Sequence, residues 1–315
     1  MEEARCVLIT GCSSGIGLAV AVKLAKDCKK RFYVIATMRD VRRRGKLEEA
    51  AGSAMGDTLS VLPLDVTSDV SVATCLDAIP NHRVDVLINN AGVGLCGPLE
   101  GLSMEKIQNV FETNVLGAVR VIRSVLPNMK RRRRGHVIVM SSVMGLQGVV
   151  FNDVYAASKF AVEGLCESLA VQLIHFNIHV TLVEPGPVHT DLEIKLMEDT
   201  VSCEFPDVDS ETLRLYREVY LPASQEVFEA LGQSPEDVAQ AVMKVITEAC
   251  PPLRYQTNPL YTPLTALKFA DKSGNLSVRT LKRLLFDYGR LFHFSLALLK
   301  LLRCSCCSRS RAALL

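Results

Sequence analysis

Short runs of apolar, largely aliphatic residues alternate with amphipathic stretches along most of the chain. CVLIT precedes a helical pattern from Gly15, FYVIAT precedes one near Lys46, and LSVLPLD precedes one near Ser68. VDVLINN then leads to a pattern from Ser103, HVIVMSS to the helix that contains Tyr155, and HVTLVEP closes the series. Strands that are apolar at consecutive positions are covered on both faces. Repeated strand–helix units of this kind predict an α/β fold, a doubly wound parallel sheet with ligands gathered beyond the carboxyl ends of its strands. After Gly186 the alternation breaks, and residues 188–233 read as an inserted helical segment before a helix from Ser234 to Ala249. Insertions over such a crevice serve as substrate lids. One domain is expected to about residue 250, followed by an extension over residues 251–315.

The first strand runs into Thr10-Gly11-Cys12-Ser13-Ser14-Gly15-Ile16-Gly17 and then a helix. Glycines let the backbone turn and approach a pyrophosphate, and the helix start offers unpaired N–H groups with a positive dipole end. Lying between strand and helix, the loop has the context that dinucleotide binding needs. The second strand ends at Thr37-Met38-Arg39, where an NAD enzyme carries an acid for the adenosine ribose. Met38 cannot accept that hydrogen bond, whereas Arg39 and Ser13 can contact a 2′-phosphate. The expected cofactor is therefore NADP(H), with adjacent Asp40 as the counter-indication. Asp65, after the third strand, either accepts from the adenine amino group or caps the next helix.

Tyr155 and Lys159 stand one helical turn apart, so both side chains can reach one spot. Asn114 and Ser142 fall on elements that point to the same crevice. With TGCSSGIG, Asn89-Asn90-Ala91-Gly92, Asn114, Ser142, Tyr155 with Lys159, and Pro185-Gly186 all in order, residues 5 to about 250 resemble the short-chain dehydrogenase/reductase family. The resemblance implies a Rossmann fold and hydride transfer between nicotinamide and a carbonyl or alcohol. Tyr155 would act as acid/base and Lys159 would lower its pKa while holding the nicotinamide ribose, with Ser142 polarising the carbonyl. Asn114 would either position a water in a proton relay or tie down a helix bulge. Asn90 would brace the sheet and line the adenosine side, and Pro185, Gly186, Val188 and Thr190 would lie near the nicotinamide amide. Family dimers pack helices corresponding to Ser103–Met129 and Val154–Phe176 against their copies, so a homodimer is expected. A nucleotide-sensing module that had kept the fold alone would lack Tyr or Lys; both are here.

Composition narrows the picture further. With 315 residues and 49% hydrophobic content, the chain can bury a large core. A formal net charge of +2 does not suggest a nucleic-acid partner, and the basic runs Arg42–Arg44 and Lys130–Arg134 read as solvated faces. The chain has 11 cysteines, and through Cys250 their spacings are wide with no paired CxxC, so reduced thiols are expected; metal binding by Cys304, Cys306 and Cys307 is the weaker alternative to acylation, with no His or fourth Cys close by. The acidic start does not resemble a secretory signal, and no apolar run reaches the ~20 residues of a membrane span.

The tail, LKRLLFDYGRLFHFSLALLKLLRCSCCSRSR from Leu281, reads as an interfacial amphipathic helix with a basic end. A last core helix packed on the sheet is the alternative. Cys304, Cys306 and Cys307 are candidates for S-palmitoylation, which would place the protein on the cytosolic face of a membrane. The stretches SSVMGLQGVVFNDVYAASKFAVEG, LVEPGPV, YLPAS and PPLRYQTN resemble the branch of the family that acts on retinoids and steroids. Steroid members place a His in the lid and a Glu near the tail to hold the distal hydroxyl, and Ala223 and Leu284 stand at those positions here. The expected substrate is therefore a retinoid, in an apolar tunnel lined by Leu146, Val149, Leu221 and Leu284, with a steroid or other lipid ketone as the alternative. By resemblance the setting is the photoreceptor outer segment.

Overall fold

The computed structural model describes residues 3–191, 193, 203–289, 291–298 and 300. Its centre is a seven-stranded, wholly parallel sheet in the order β3-β2-β1-β4-β5-β6-β7. The strands are β1 (Arg5–Ile9), β2 (Phe32–Met38), β3 (Leu59–Pro63), β4 (Val86–Asn89), β5 (Gly135–Met140), β6 (Ile178–Glu184) and β7 (Arg254–Gln256). All residues of β4 and β5 are buried, as the consecutive apolar positions require. Chain order reverses between β1 and β4, so the ligand crevice of a doubly wound sheet opens there.

Helices cover both faces: α1 (Gly15–Ala25) and α2 (Gly45–Ala51), then α3 (Asp69–Asp77). The segment from Ser103 is two helices, α4 (Met104–Phe111) and α5 (Ala118–Arg132), joined through a π-helical turn at Glu112–Gly117. α6 (Asp153–Ile174) carries the Tyr155/Lys159 pair. One core layer unites β-strand side chains such as Val7, Val34 and Ile138 with Val20 and Leu24 of α1. The opposite layer joins Leu8, Leu87 and Leu182 to Val121 of α5 and Val162 and Cys166 of α6.

The inserted segment contributes α7 (Ser210–Arg214), a wide turn at Leu215–Tyr220 and α8 (Leu221–Leu231). Phe205, Val208, Tyr216 and Tyr220 form a separate buried cluster there, against Val149, Phe151 and Leu221. α9 (Pro235–Thr247) starts in a reciprocal capping box between Ser234 and Asp237 and packs against α1. The domain boundary expected at residue 250 lies inside the sheet, because β7 follows it and pairs with β6. β7 is only three half-buried residues, RYQ, too short and polar to stand out as an apolar run.

Beyond β7 come α10 (Thr262–Ala270), α11 (Asn275–Lys282) and a turn at Arg283–Asp287 that packs on Leu215–Tyr220. Residues 291–298 are helical. His293 Nδ1 lies 2.6 Å from Glu226 Oε2, and Lys300 Nζ lies 2.5 Å from Glu229 Oε2, so the tail helix is strapped to α8 of the inserted segment. Its Leu291, Phe294 and Leu298 remain exposed. Among the described residues no helix is long and apolar enough to cross a membrane, and no cluster could hold a metal ion. Cys304, Cys306 and Cys307 lie outside the described residues.

Candidate active site

The glycine loop closes over the end of β1 by backbone geometry that favours glycine at two positions. Gly11 has φ +74° and Gly15 φ +60°. Gly17 allows the closest approach, since a Cβ there would stand 2.2 Å from the Gly11 carbonyl and 2.5 Å from Asn90 Nδ2. Asn90 Nδ2 donates to the carbonyls of Thr10 and Gly11 at 2.9 and 3.1 Å, while Thr10 Oγ1 accepts from the N–H groups of Asn90 and Ala91, both at 2.9 Å. Asn90 thus braces the loop against β4. Ser14, the N-cap of α1, makes no side-chain capping bond. The start of α1 therefore keeps donors for an anion. Ser13 and Ile16 are partly exposed on this loop, whereas Cys12 is fully buried, its Sγ 3.4 Å from the Ile9 carbonyl. Only the Cys12 backbone can face a ligand, and burial pushes its thiol up to about 12.

At the end of β2, Arg39 is exposed and has no hydrogen-bond or ion-pair partner among the described residues. Asp40 is engaged, accepting from the backbone N–H, Nε and Nη2 of Arg42 at 3.0, 2.8 and 3.0 Å. Asp65 accepts at Oδ1 from the Thr67 N–H and hydroxyl, while Ser68 caps α3. Burial works against the Asp65 charge, yet the Thr67 bonds and the Arg39 and Arg120 charges bring its carboxyl below the ordinary value. Capping α3 is thus not its task. A dinucleotide fits these residues: a turn of glycine, an uncapped helix start, and a free guanidinium where an adenosine ribose would end.

Ser142 is the second residue past β5 and is 8% exposed. Its Oγ accepts from the Met144 N–H at 3.1 Å and lies 3.4 Å from the Pro185 carbonyl, which ties the end of β5 to that of β6. Lys159 Nζ donates to the Met140 carbonyl at 2.8 Å and sits 5.5 Å from the centre of the Tyr155 ring. Burial lowers Lys159 to about 8, opposed by the Glu163 carboxylate. Burial raises the Tyr155 phenol, with the Glu193 carboxylate adding to the rise and the Ser142 hydroxyl working against it. Among the protein's own groups, desolvation therefore outweighs the help expected of Lys159.

Asn114, 4% exposed in the π-helical turn, has both ends of its amide engaged. Oδ1 accepts from the Val93 N–H at 2.8 Å, and Nδ2 donates to the Val93 carbonyl at 2.9 Å and to Ser158 Oγ at 3.0 Å. Ser158 in turn donates to the Tyr155 carbonyl at 2.7 Å. Asn114 thereby pins the turn of α6 that carries Tyr155.

Gly186 packs against the Tyr261 ring, Val188 is buried and bridges to Gln233, and the Thr190 methyl lies over Gly15. Val149 and Leu221 belong to the aromatic lid cluster, and Leu284 is half-buried in the turn packed on Leu215–Tyr220. Leu146 is buried beside Ser142 but does not join that cluster. Three residues near the crevice carried no sequence signal. Glu193, raised by burial, acts on Tyr155. Tyr220 accepts from Asn152 Nδ2 at 2.6 Å, and Cys96 Sγ lies 3.7 Å from the Tyr220 hydroxyl. All three depend on how the lid folds back.

A glycine loop at the switch point of a parallel sheet, facing a half-buried Tyr and a buried Lys and Ser, defines a Rossmann-type oxidoreductase that uses a nicotinamide dinucleotide. The chain belongs to the short-chain dehydrogenase family, whose profile, described as short chain dehydrogenase, matches residues 5–200. It is similar to retinol dehydrogenase 8 of Bos taurus, 61% identical over 97% of each chain. It is also similar to 17-beta-hydroxysteroid dehydrogenase type 1 of Homo sapiens, 44% identical over 89% of this chain and 85% of that protein. Among solved structures, ElxO with NADP bound superposes with a TM-score of 0.67 at 26% identity, covering 83% of this chain and 100% of that one. A Burkholderia phymatum short-chain dehydrogenase/reductase in complex with NAD shares the fold at TM-score 0.72 and 24% identity, over 86% of this chain and 95% of that one.

Proposed function

We propose that the enzyme interconverts all-trans-retinal and all-trans-retinol with NADP(H), working as a retinal reductase at a membrane surface. When bound, the nicotinamide supplies the hydride and, in its oxidised form, a positive charge beside the phenol. Tyr155 would give its proton to the carbonyl oxygen in reduction and take it back in oxidation. Ser142 would hydrogen-bond the same oxygen, and Lys159, held by the Met140 carbonyl, would orient the cofactor ribose. For NADP(H) the support is Arg39, without a hydrogen-bond or ion-pair partner among the described residues, next to an Asp40 already occupied by Arg42.

The apolar side chains at Ala223 and Leu284 carry the retinoid reading. Ala223 is buried at 2% exposure, and Leu284 closes toward the lid, so neither offers a steroid hydroxyl a partner. An unpaired buried hydroxyl costs roughly 1–3 kcal/mol, about ten- to a hundredfold in discrimination. A retinoid ring loses nothing there. The near-full-length similarity to retinol dehydrogenase 8 points the same way. The test is kcat/KM with NADPH for all-trans-retinal, 11-cis-retinal and estrone on one membrane preparation; all-trans-retinal is expected to win, and a clear win for estrone would overturn the substrate assignment.

Membrane attachment is part of this reading. Its support is the exposed stripe Leu291, Phe294 and Leu298, with the cysteine cluster just beyond. Replacing Cys304, Cys306 and Cys307 with Ser should move the enzyme to the soluble fraction, and full retention on membranes would rule out a necessary acyl anchor. A homodimer through α5 and α6 also belongs to it, supported by exposed Val171 and Ile174 on α6.

A further inference from the structure

One turn along α6 from Lys159 lies Glu163, 4% exposed, and Glu184 at the end of β6 is 0% exposed. Arg254, the first residue of β7, reaches both. Its Nη2 is 2.9 Å from Glu163 Oε2, its Nε 3.3 Å from Glu184 Oε1, and its Nη1 2.9 Å from the more exposed Glu167. Arg254 Nε is at 3.3 Å from Glu184 Oε1 without the alignment of a hydrogen bond, and the neutral donors that act on the pair are the Ser141 hydroxyl at Glu163 and the Gln256 amide at Glu184. The Ser141 hydroxyl and Glu163 Oε1 converge over Gly145, where a Cβ would stand 2.7 Å and 3.2 Å from them. The charged and titratable groups facing Glu163 are Lys159, Cys166 and Glu167 on its own helix, Glu184 on β6 and Arg254 on β7.

Two buried carboxylates around one guanidinium leave one negative charge without a counter-charge. A single retained proton removes one of the two like charges. We propose that Glu163 and Glu184 are positioning residues that hold one proton between them across Arg254, Glu184 carrying it while ionised Glu163 keeps Lys159 an ammonium. Burial raises both carboxyls, and the Glu163 charge takes Glu184 further, to about 8. Lys159, lowered by burial to about 8, is supported by Glu163 alone among the carboxylates. The pair exchanges no proton with substrate. It acts through Lys159, and so rests on the role assigned to Lys159 above.

The experiment uses the full-length, membrane-bound enzyme with NADPH and all-trans-retinal, from pH 6 to 10. Glu163→Gln should move the alkaline limb of kcat/KM down by about one pH unit, as loss of a neighbouring opposite charge does. Glu184→Gln should leave that limb in place. In difference infrared spectra the wild type should show a protonated-carboxyl band at pH 7 that disappears in Glu184→Gln. An unmoved limb in Glu163→Gln, or no such band in the wild type, would overturn the proposal. The band is read on wild type and Glu184→Gln, so it decides even where Glu163→Gln fails to fold. Lys159→Met separates the two readings: wild-type kcat/KM in that variant would remove the role of Lys159, and the infrared band would still decide the proton.

Discussion

A phenol is a poor acid/base at neutral pH until positive charge is set beside it, and at Tyr155 burial works in the wrong direction. Lys159 stands 5.5 Å from its ring, itself lowered to about 8, so the protein alone only partly prepares this pair. The remaining charge falls to the oxidised nicotinamide, which ties proton transfer to cofactor occupancy. Tyr155, Lys159 and Ser142 were legible because their chemistry depends on local spacing and strand ends. Glu193 was not, because its approach to Tyr155 is set by the lid rather than by neighbours in sequence. Arg39 is the residue where position alone forecasts preference. Arg39→Asp should weaken NADPH by roughly 2 kcal/mol, about thirtyfold, through loss of a charge-assisted phosphate contact, and leave NADH little changed. Cofactor titration by fluorescence checks this, and an unchanged NADPH-to-NADH ratio would reject the 2′-phosphate contact.

The strands and most helices could be read from the sequence because a parallel sheet demands continuous apolar runs. Failures occurred where that demand is relaxed. β7 lies at the sheet edge with all three residues half-buried, and the π-helical turn at Glu112–Gly117 continues a helical pattern without any composition change. That turn is where Asn114 finds the Val93 backbone and Ser158, so a widened helix makes the brace for Tyr155. Asn114→Ala would strand the Val93 N–H and carbonyl in a partly buried site, at about 2 kcal/mol in stability. Because Ser158 then loses the Asn114 donor and keeps only the Tyr155 carbonyl, the turn carrying Tyr155 is less firmly held, and kcat should fall with cofactor affinity preserved. Denaturant titration and steady-state kinetics on the same preparation test both, and a variant as stable as wild type would show that the amide bonds carry no weight.

At the scale of the whole molecule, Glu184 makes the stability of the sheet depend on pH. Its carboxyl rises from 4.5 to about 8 in the folded chain, chiefly through burial and secondly through Glu163. A carboxyl raised on folding binds its proton more tightly in the native state, so between pH 4.5 and 8 the native state holds more protons than the unfolded one. Stability therefore falls as pH climbs through that window and stops falling above about 8. Discounted for the coupling to Glu163, the loss is roughly 2–4 kcal/mol across the window. Glu184→Gln abolishes this slope and adds a constant cost for its unpaired amide, which does not vary with pH. The melting temperature of Glu184→Gln relative to wild type should accordingly rise from pH 5 to pH 8 and then level. Calorimetry at pH 5, 6, 7, 8 and 9 measures that difference, and a difference flat in pH would mean that Glu184 is ionised throughout and that Arg254, not a shared proton, balances the buried pair.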